Sequence, residues 1–107
     1  MSFNHPNFGK LDDNRIIVFD TTLRDGQQTP GVTFSLEDKL TLIALLNRLG
    51  VDYIEGGYPG GNPTDTELFG QERASKATFT AFGMTKRAGR SAANDPGLQA
   101  LLQAKSK

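Results

Sequence analysis

Ile16-Ile17-Val18-Phe19 runs straight into Asp20-Thr21-Thr22-Leu23-Arg24-Asp25-Gly26, and that junction decides how the whole chain reads. A short continuous apolar run rich in β-branched residues reads as a strand buried on both faces, the pattern of a parallel sheet. The polar run behind it, closed by glycine, reads as the loop at the strand's carboxyl end. A helix follows. Ser35 and Asp38 have the spacing of a capping box. Leu36, Leu40, Ile43, Leu46 and Leu49 recur at helical period, and Leu42, Ala44 and Leu45 widen the stripe. Asn47 and Arg48 face away from it, and Gly50 stands where a left-handed stop is wanted.

The same rhythm repeats twice. Val51-Asp52-Tyr53-Ile54-Glu55 reads as a second strand, broken by Gly56-Gly57-Tyr58-Pro59-Gly60-Gly61. Asn62-Pro63 is a cap followed by a first-turn proline, and Asp65 and Glu67 suit the positive end of a helix dipole. That second helix is expected over Pro63 to Arg73, with Gly70 inside it at a cost of about 1 kcal/mol relative to Ala. Thr78-Phe79-Thr80-Ala81-Phe82 reads as a third strand closed by Gly83. Asp95-Pro96 opens a third helix with Leu98, Leu101 and Leu102 on one face. Residues 1–14 carry no period and read as a leader, leaving 15–107 as the folded part.

Alternating βα units imply an α/β fold with a parallel sheet and right-handed crossovers. A Rossmann sheet is disfavoured because no G-x-G-x-x-G joins the first strand to the first helix. A (β/α)₈ barrel needs about 250 residues. On that reading this chain of 107 residues is the first three βα units of a TIM (β/α)₈ barrel, truncated.

Composition narrows the function. Twelve basic residues balance twelve acidic ones, so the cationic surplus that phosphate contacts require is missing and a nucleic-acid partner is not expected. Cysteine is absent and there is one histidine, which excludes disulfides, thiolate metal sites and a cysteine nucleophile. No apolar run approaches the length of a membrane span, and residues 1–14 lack the core of a secretory signal. No membrane partner and a cytoplasmic location are the expectation. Charge is uneven along the chain: from Lys86 onward five positives face one negative, and the first 85 residues hold seven positives and eleven negatives. The basic stretch reads either as a solvated face or as a rim for an anionic ligand.

Ligands of a parallel α/β sheet approach the carboxyl ends of the strands. The first strand delivers Asp20, Arg24 and Asp25 there, the second delivers Glu55, and the third leads into the Lys86/Arg87 loop. Arg24 offers a planar fork of donors matched to a carboxylate or a ketone oxygen. Asp25 is a hard oxygen donor suited to Mg²⁺, Mn²⁺ or, with imidazole help, Zn²⁺. Glu55 can orient Arg24 or move a proton. The bland counterpart is an ion-pair network at the sheet mouth, with Asp25 a turn former. Thr21 and Thr22 suit local backbone bonds as well as substrate. The glycine cluster fits a tight turn better than a phosphate loop, and His5 lies in the leader.

Phe19-Asp-Thr-Thr-Leu-Arg-Asp-Gly-Gln-Gln-Thr-Pro-Gly-Val32 resembles the opening strand and loop of the DRE-TIM metallolyase family, which holds isopropylmalate, homocitrate and citramalate synthases and hydroxymethylglutaryl-CoA lyases. Leu49-Gly-Val-Asp-Tyr-Ile-Glu-Gly-Gly-Tyr-Pro59 resembles the family's second strand. Asn62-Pro63-x-Asp65, Ala81-Phe82-Gly83-x-Thr85-Lys86-Arg87 and Asp95-Pro-Gly-Leu-Gln-Ala-Leu-Leu102 resemble the citramalate synthase branch in particular. The likeness runs from about Ile16 to Ala104.

The resemblance implies an acyltransferase that condenses acetyl-CoA with pyruvate to citramalate, on the way to isoleucine. The alternatives are a related isopropylmalate or homocitrate synthase, an acyl-CoA lyase, or a non-catalytic assembly module. It implies Arg24 as the group that binds and polarises the 2-oxo acid, Glu55 as its support or proton carrier, Gln28 beside the substrate, and Asp25 as a ligand of the divalent metal. It also implies partnership with the remainder of the barrel and a homodimer. The family completes its metal site with an H-x-H pair, which this chain lacks. The expectation is therefore an amino-terminal part of the catalytic domain, inactive by itself.

Overall fold

The computed structural model describes residues 15–71 and 75–105. Three strands, β1 (Phe19–Asp20), β2 (Tyr53–Gly57) and β3 (Thr78–Ala81), form one parallel sheet in the order β1-β2-β3. Three helices alternate with them: α1 (Leu36–Leu49), α2 (Pro63–Phe69) and α3 (Pro96–Gln103). The leader assigned to residues 1–14, with His5, lies outside the described residues.

Each helix begins where its cap stands. The Ser35 hydroxyl accepts from the Asp38 N–H while the Asp38 carboxylate accepts from the Ser35 N–H, both at 3.0 Å. Asn62 accepts from the Asp65 N–H at 2.8 Å, with Pro63 in the first turn. Asp95 accepts from Gly97 and Leu98. Helix α1 stops at Gly50, whose φ of 91° a residue with a Cβ rarely adopts.

Four sequence expectations are corrected. The first strand is not buried on both faces: it is cut to Phe19–Asp20, and Ile16 is 82% and Phe19 48% exposed. It is the sheet edge, paired among the described residues only with β2, and Phe19 finds cover only by stacking on Tyr53 with centroids 5.7 Å apart. Helix α2 ends at Phe69 rather than Arg73, because Gly70 is its C-cap and gives its N–H to Glu67 and Leu68. Arg73 lies outside the described residues. The stripe of α1 is narrower than its pattern: Leu36, Leu40, Ile43 and Leu46 pack on the core, whereas Leu45 and Leu49 are exposed, as is Leu102 on α3. Asn47 does not face away. Its Oδ1 accepts from the Ser75 hydroxyl and the N–H groups of Lys76 and Ala77, covering donors that enter β3 unpaired.

Strand β2 runs two residues further than its apolar pattern, through Gly56 and Gly57, with an irregular register there. Gly56 is needed for contact. A Cβ built on it would stand 2.0 Å from the Phe79 ring. Phe79 lies at the centre of the core with Leu23, Ile43, Ile54, Leu68, Phe69 and Ala77, and its ring meets Phe69 at 5.0 Å.

The core also holds an ion pair. Lys39 on α1 and Asp65 on α2 are both fully buried and bonded to each other. The Lys39 ammonium also donates to the carbonyls of Leu23 at 2.8 Å and Gly56 at 3.1 Å, so all three of its protons are used. Burial alone would raise the Asp65 carboxyl. Bonds from Lys39, the Tyr58 N–H, Gln27 and Asn62 outweigh it and hold Asp65 below the ordinary carboxylate value. Burial pulls Lys39 below the usual ammonium value, and Asp65 restrains the fall.

Because the folded Asp65 carboxyl binds its proton less tightly than the unfolded one, its stabilisation is complete above the unfolded pKa of about 3.9 and disappears as pH falls through the lower folded value. Urea midpoints should therefore hold steady from neutral pH to about 5 and drop below about 4. Asp65→Asn should lose part of that acid dependence and cost about 3–5 kcal/mol at neutral pH, since it leaves the buried Lys39 charge uncompensated. Gly56→Ala should cost about 1–3 kcal/mol by overpacking against Phe79, and part of that loss should return in Gly56→Ala/Phe79→Leu.

Candidate functional site

The loop after β1 is wound by its own side chains. The Asp20 carboxylate accepts from the Thr22 N–H at 3.0 Å and from the Thr22 hydroxyl at 2.9 Å. The Thr21 carbonyl accepts from the N–H groups of Arg24, Asp25 and Gly26 at 2.8–3.2 Å. Asp20 and Thr22 thus shape backbone rather than offer themselves to a ligand. The turn drives Leu23 into the core, fully buried, and sends the next side chain, Arg24, across the ends of the strands.

Arg24 meets the other two strands there. Its Nε donates to Glu55 Oε1 at 2.6 Å, and its guanidinium carbon lies 4.4 Å from the centroid of the Phe82 ring. Phe82 follows β3 directly and is tied to β2 by its N–H, which donates to the Gly57 carbonyl at 2.9 Å. Tyr58 closes the group, meeting Phe82 edge to face with centroids 5.1 Å apart. The Glu55 hydrogen bond, then the Glu55 and Asp25 charges, raise the Arg24 pKa against the opposing effect of burial. Among the described residues no protein group bonds the two Nη nitrogens. Arg24 lines an open cavity of about 440 Å³ together with Gln27, Gln28, Tyr58, Asn62 and Thr64. A charged, planar donor set is thus held on one side and presented to a ligand on the other.

Three of the residues expected from sequence are brought together here: Arg24 and Glu55 in contact, and Gln28 at the cavity wall. Asp25 is exposed next to them, close enough for its charge to act on Arg24. The Lys86/Arg87 loop does not line the cavity; the Arg87 N–H is spent on Asp95 at 2.7 Å. Of the glycine run, Gly56 and Gly57 belong to β2, and Tyr58 to Gly61 turn into the Asn62 cap, with the Gly61 N–H donating to the Tyr58 carbonyl at 2.9 Å. Sequence reasoning missed Phe82 as a partner of Arg24, because a strand-end phenylalanine reads as core. It also missed Lys39, although a lysine between Leu36 and Leu40 on an apolar stripe was a visible anomaly.

The donors do not fit a resident divalent cation by themselves. Mg²⁺ and Mn²⁺ favour octahedral oxygen sites, and Asp25 offers one carboxylate. Among the described residues no three His, Cys, Asp or Glu side chains come together to hold a metal ion. Nor is any helix among the described residues long and apolar enough to cross a membrane.

Comparison with known proteins identifies the family. The family model described as HMGL-like matches residues 15–95. A Streptomyces coelicolor protein named (R)-citramalate synthase is 48% identical over 97 residues, covering 87% of this chain and 18% of that protein. A Sulfolobus acidocaldarius protein of the same name is 46% identical over 90 residues, covering 81% of this chain and 17% of its own length. A 2-isopropylmalate synthase of Gloeothece citriformis is 57% identical over 58 residues, covering 54% of this chain and 11% of its own. The chain thus spans less than a fifth of the length of these curated relatives. With a family match across most of its residues and three parallel βα units in place, the chain belongs to the HMGL-like, DRE-TIM family, whose relatives here are synthases, and forms part of that family's TIM barrel.

Proposed function

We propose that this chain is part of a cytoplasmic synthase that joins the acetyl group of acetyl-CoA to the carbonyl carbon of pyruvate and hydrolyses the thioester, giving (R)-citramalate for isoleucine synthesis. The observation that carries this reading is the Arg24 guanidinium, fixed by Glu55 at 2.6 Å and by the Phe82 face, with its remaining donors on the cavity. The relatives named (R)-citramalate synthase add the choice of substrate.

In this reading the Arg24 guanidinium donates hydrogen bonds to the ketone oxygen of the oxo acid. As the new carbon–carbon bond forms, negative charge grows on that oxygen, and a donor already in place stabilises it without reorganisation. Glu55 holds the guanidinium plane, so that Arg24 does not swing out to water, and balances its charge between turnovers. Phe82 fixes the opposite face. Gln28 sits at the cavity wall, where its amide can bond the substrate. Asp25 is proposed as one ligand of a divalent cation, Mg²⁺ or Mn²⁺, whose other ligands lie outside the described residues; the barrel remainder and a second copy of the protein are the proposed partners. The match to a 2-isopropylmalate synthase, 57% identical over 58 residues, favours a second reading, in which a larger oxo acid takes the place of pyruvate.

The purified 107 residues with pyruvate, acetyl-CoA and Mg²⁺ or Mn²⁺ should release no CoA thiol. Robust turnover would show that the site is complete in this stretch. In the longer synthase, pyruvate should be preferred over 2-oxoisovalerate and 2-oxoglutarate. A reversed order assigns the chain to the second reading. There, Arg24→Lys should lower kcat about 10²–10³-fold, the usual effect of removing one oxyanion donor, and an unchanged kcat would remove Arg24 from the chemistry.

A further inference from the structure

We propose that Lys39 and Asp65 are positioning residues for the Arg24–Glu55 pair, acting through the backbone beneath the cavity. The ammonium of Lys39 has two backbone acceptors, and their identity is the point. The Leu23 carbonyl, at 2.8 Å, belongs to the peptide that leads directly into Arg24. The Gly56 carbonyl, at 3.1 Å, belongs to the residue directly after Glu55. One buried cation therefore clamps the chain next to both members of the ion pair, in the loop after β1 and on β2.

Asp65 continues the device to the cavity wall. While one of its oxygens holds Lys39, the other accepts from the Gln27 amide at 3.0 Å, the Tyr58 N–H at 2.8 Å and the Asn62 amide at 2.9 Å. Gln27, Tyr58 and Asn62 all line the same cavity as Arg24. Thus the β1 loop, the end of β2 and the start of α2 share a single charged hub whose side chains are both wholly shielded from water.

Stability alone does not account for such a hub. A well-packed apolar pair of similar volume commonly stabilises a core as well as, or better than, a buried ion pair. What an apolar pair cannot do is bond two carbonyls and three donors with fixed directions. The Arg24–Glu55 bond is partly open to solvent, where side-chain pairs of long residues are weakly held. Its geometry has to be imposed from below, and the Leu23 and Gly56 carbonyls are where that is done.

The catalytic meaning of this positioning rests on the synthase reading, but its test does not need turnover. The Arg24 Nε–H signal of the ¹⁵N-labelled chain reports the bond to Glu55, and Glu55→Gln marks where that signal lies once the bond is weakened. In Lys39→Met/Asp65→Leu, which removes both charges and keeps the volume, the signal should move toward its Glu55→Gln position and exchange with water at least about tenfold faster, the effect of weakening a hydrogen bond to a charged acceptor. A cooperative melt and dispersed amide spectrum certify the fold. If the double variant does not fold, Asp65→Asn is read in the same way. A folded variant whose Arg24 signal stays at its wild-type position and exchange rate overturns the proposal and leaves the synthase reading intact. A wrong oxo-acid preference in the longer protein would do the reverse.

Discussion

A lysine and an aspartate with no access to water hold this structure in register. Bringing two charges out of water costs several kcal/mol per ion, and the chain bears that cost where the loop after β1, β2, α1 and α2 meet. Every ammonium proton there is directed, Lys39 into two carbonyls and a carboxylate, and Asp65 accepts from three further donors. Breaking one partner leaves the other stranded, which is why such a pair is far more sensitive to single replacement than its net worth suggests. The apolar core around Phe79 supplies the driving force of folding, and the ion pair dictates how the loops above it lie.

From that constraint the site grows upward. The turn after β1 is closed by the Asp20 and Thr21 bonds, so Leu23 points down and Arg24 points across. Glu55 arrives from β2 and Phe82 from beyond β3, and the guanidinium sits between an anion and an aromatic face. A cation with one edge satisfied and the other on a cavity is chemically an anion receptor. Arginine is protonated at any pH the protein meets, and the Glu55 hydrogen bond favours the charged form further.

Much of this was legible in sequence because it is local. Caps at Ser35, Asn62 and Asp95 act over three residues, and the β-branched and leucine periods mark strands and α1 without reference to the rest of the chain. The adjacency of Arg24 and Glu55 was legible because parallel strands deliver their carboxyl ends to one side. What escaped was long-range. Lys39 and Asp65 lie far apart in the chain and look like two surface charges until the helices dock. Asn47 was read by the helical wheel, which knows nothing of the N–H groups that Lys76 and Ala77 bring to it. Ile16 and Phe19 are exposed where β1 pairs, among the described residues, with β2 alone, and an apolar run reads alike whether one neighbour or two flank it.

The contact between Gly56 and Phe79 reaches further than packing. Alternate residues of a strand face opposite ways, so sliding β3 by a single position would swing Phe79 out of the interior and put a threonine, Thr78 or Thr80, against the glycine. The same slip would carry Phe82 off the guanidinium. One strand thus carries two interlocked proofs of alignment, one apolar and one cationic, and a misthreaded sheet fails both together. Errors in assembling this mouth are accordingly self-rejecting: a chain that has mispaired β3 has neither a filled interior nor a supported arginine with which to retain a ligand.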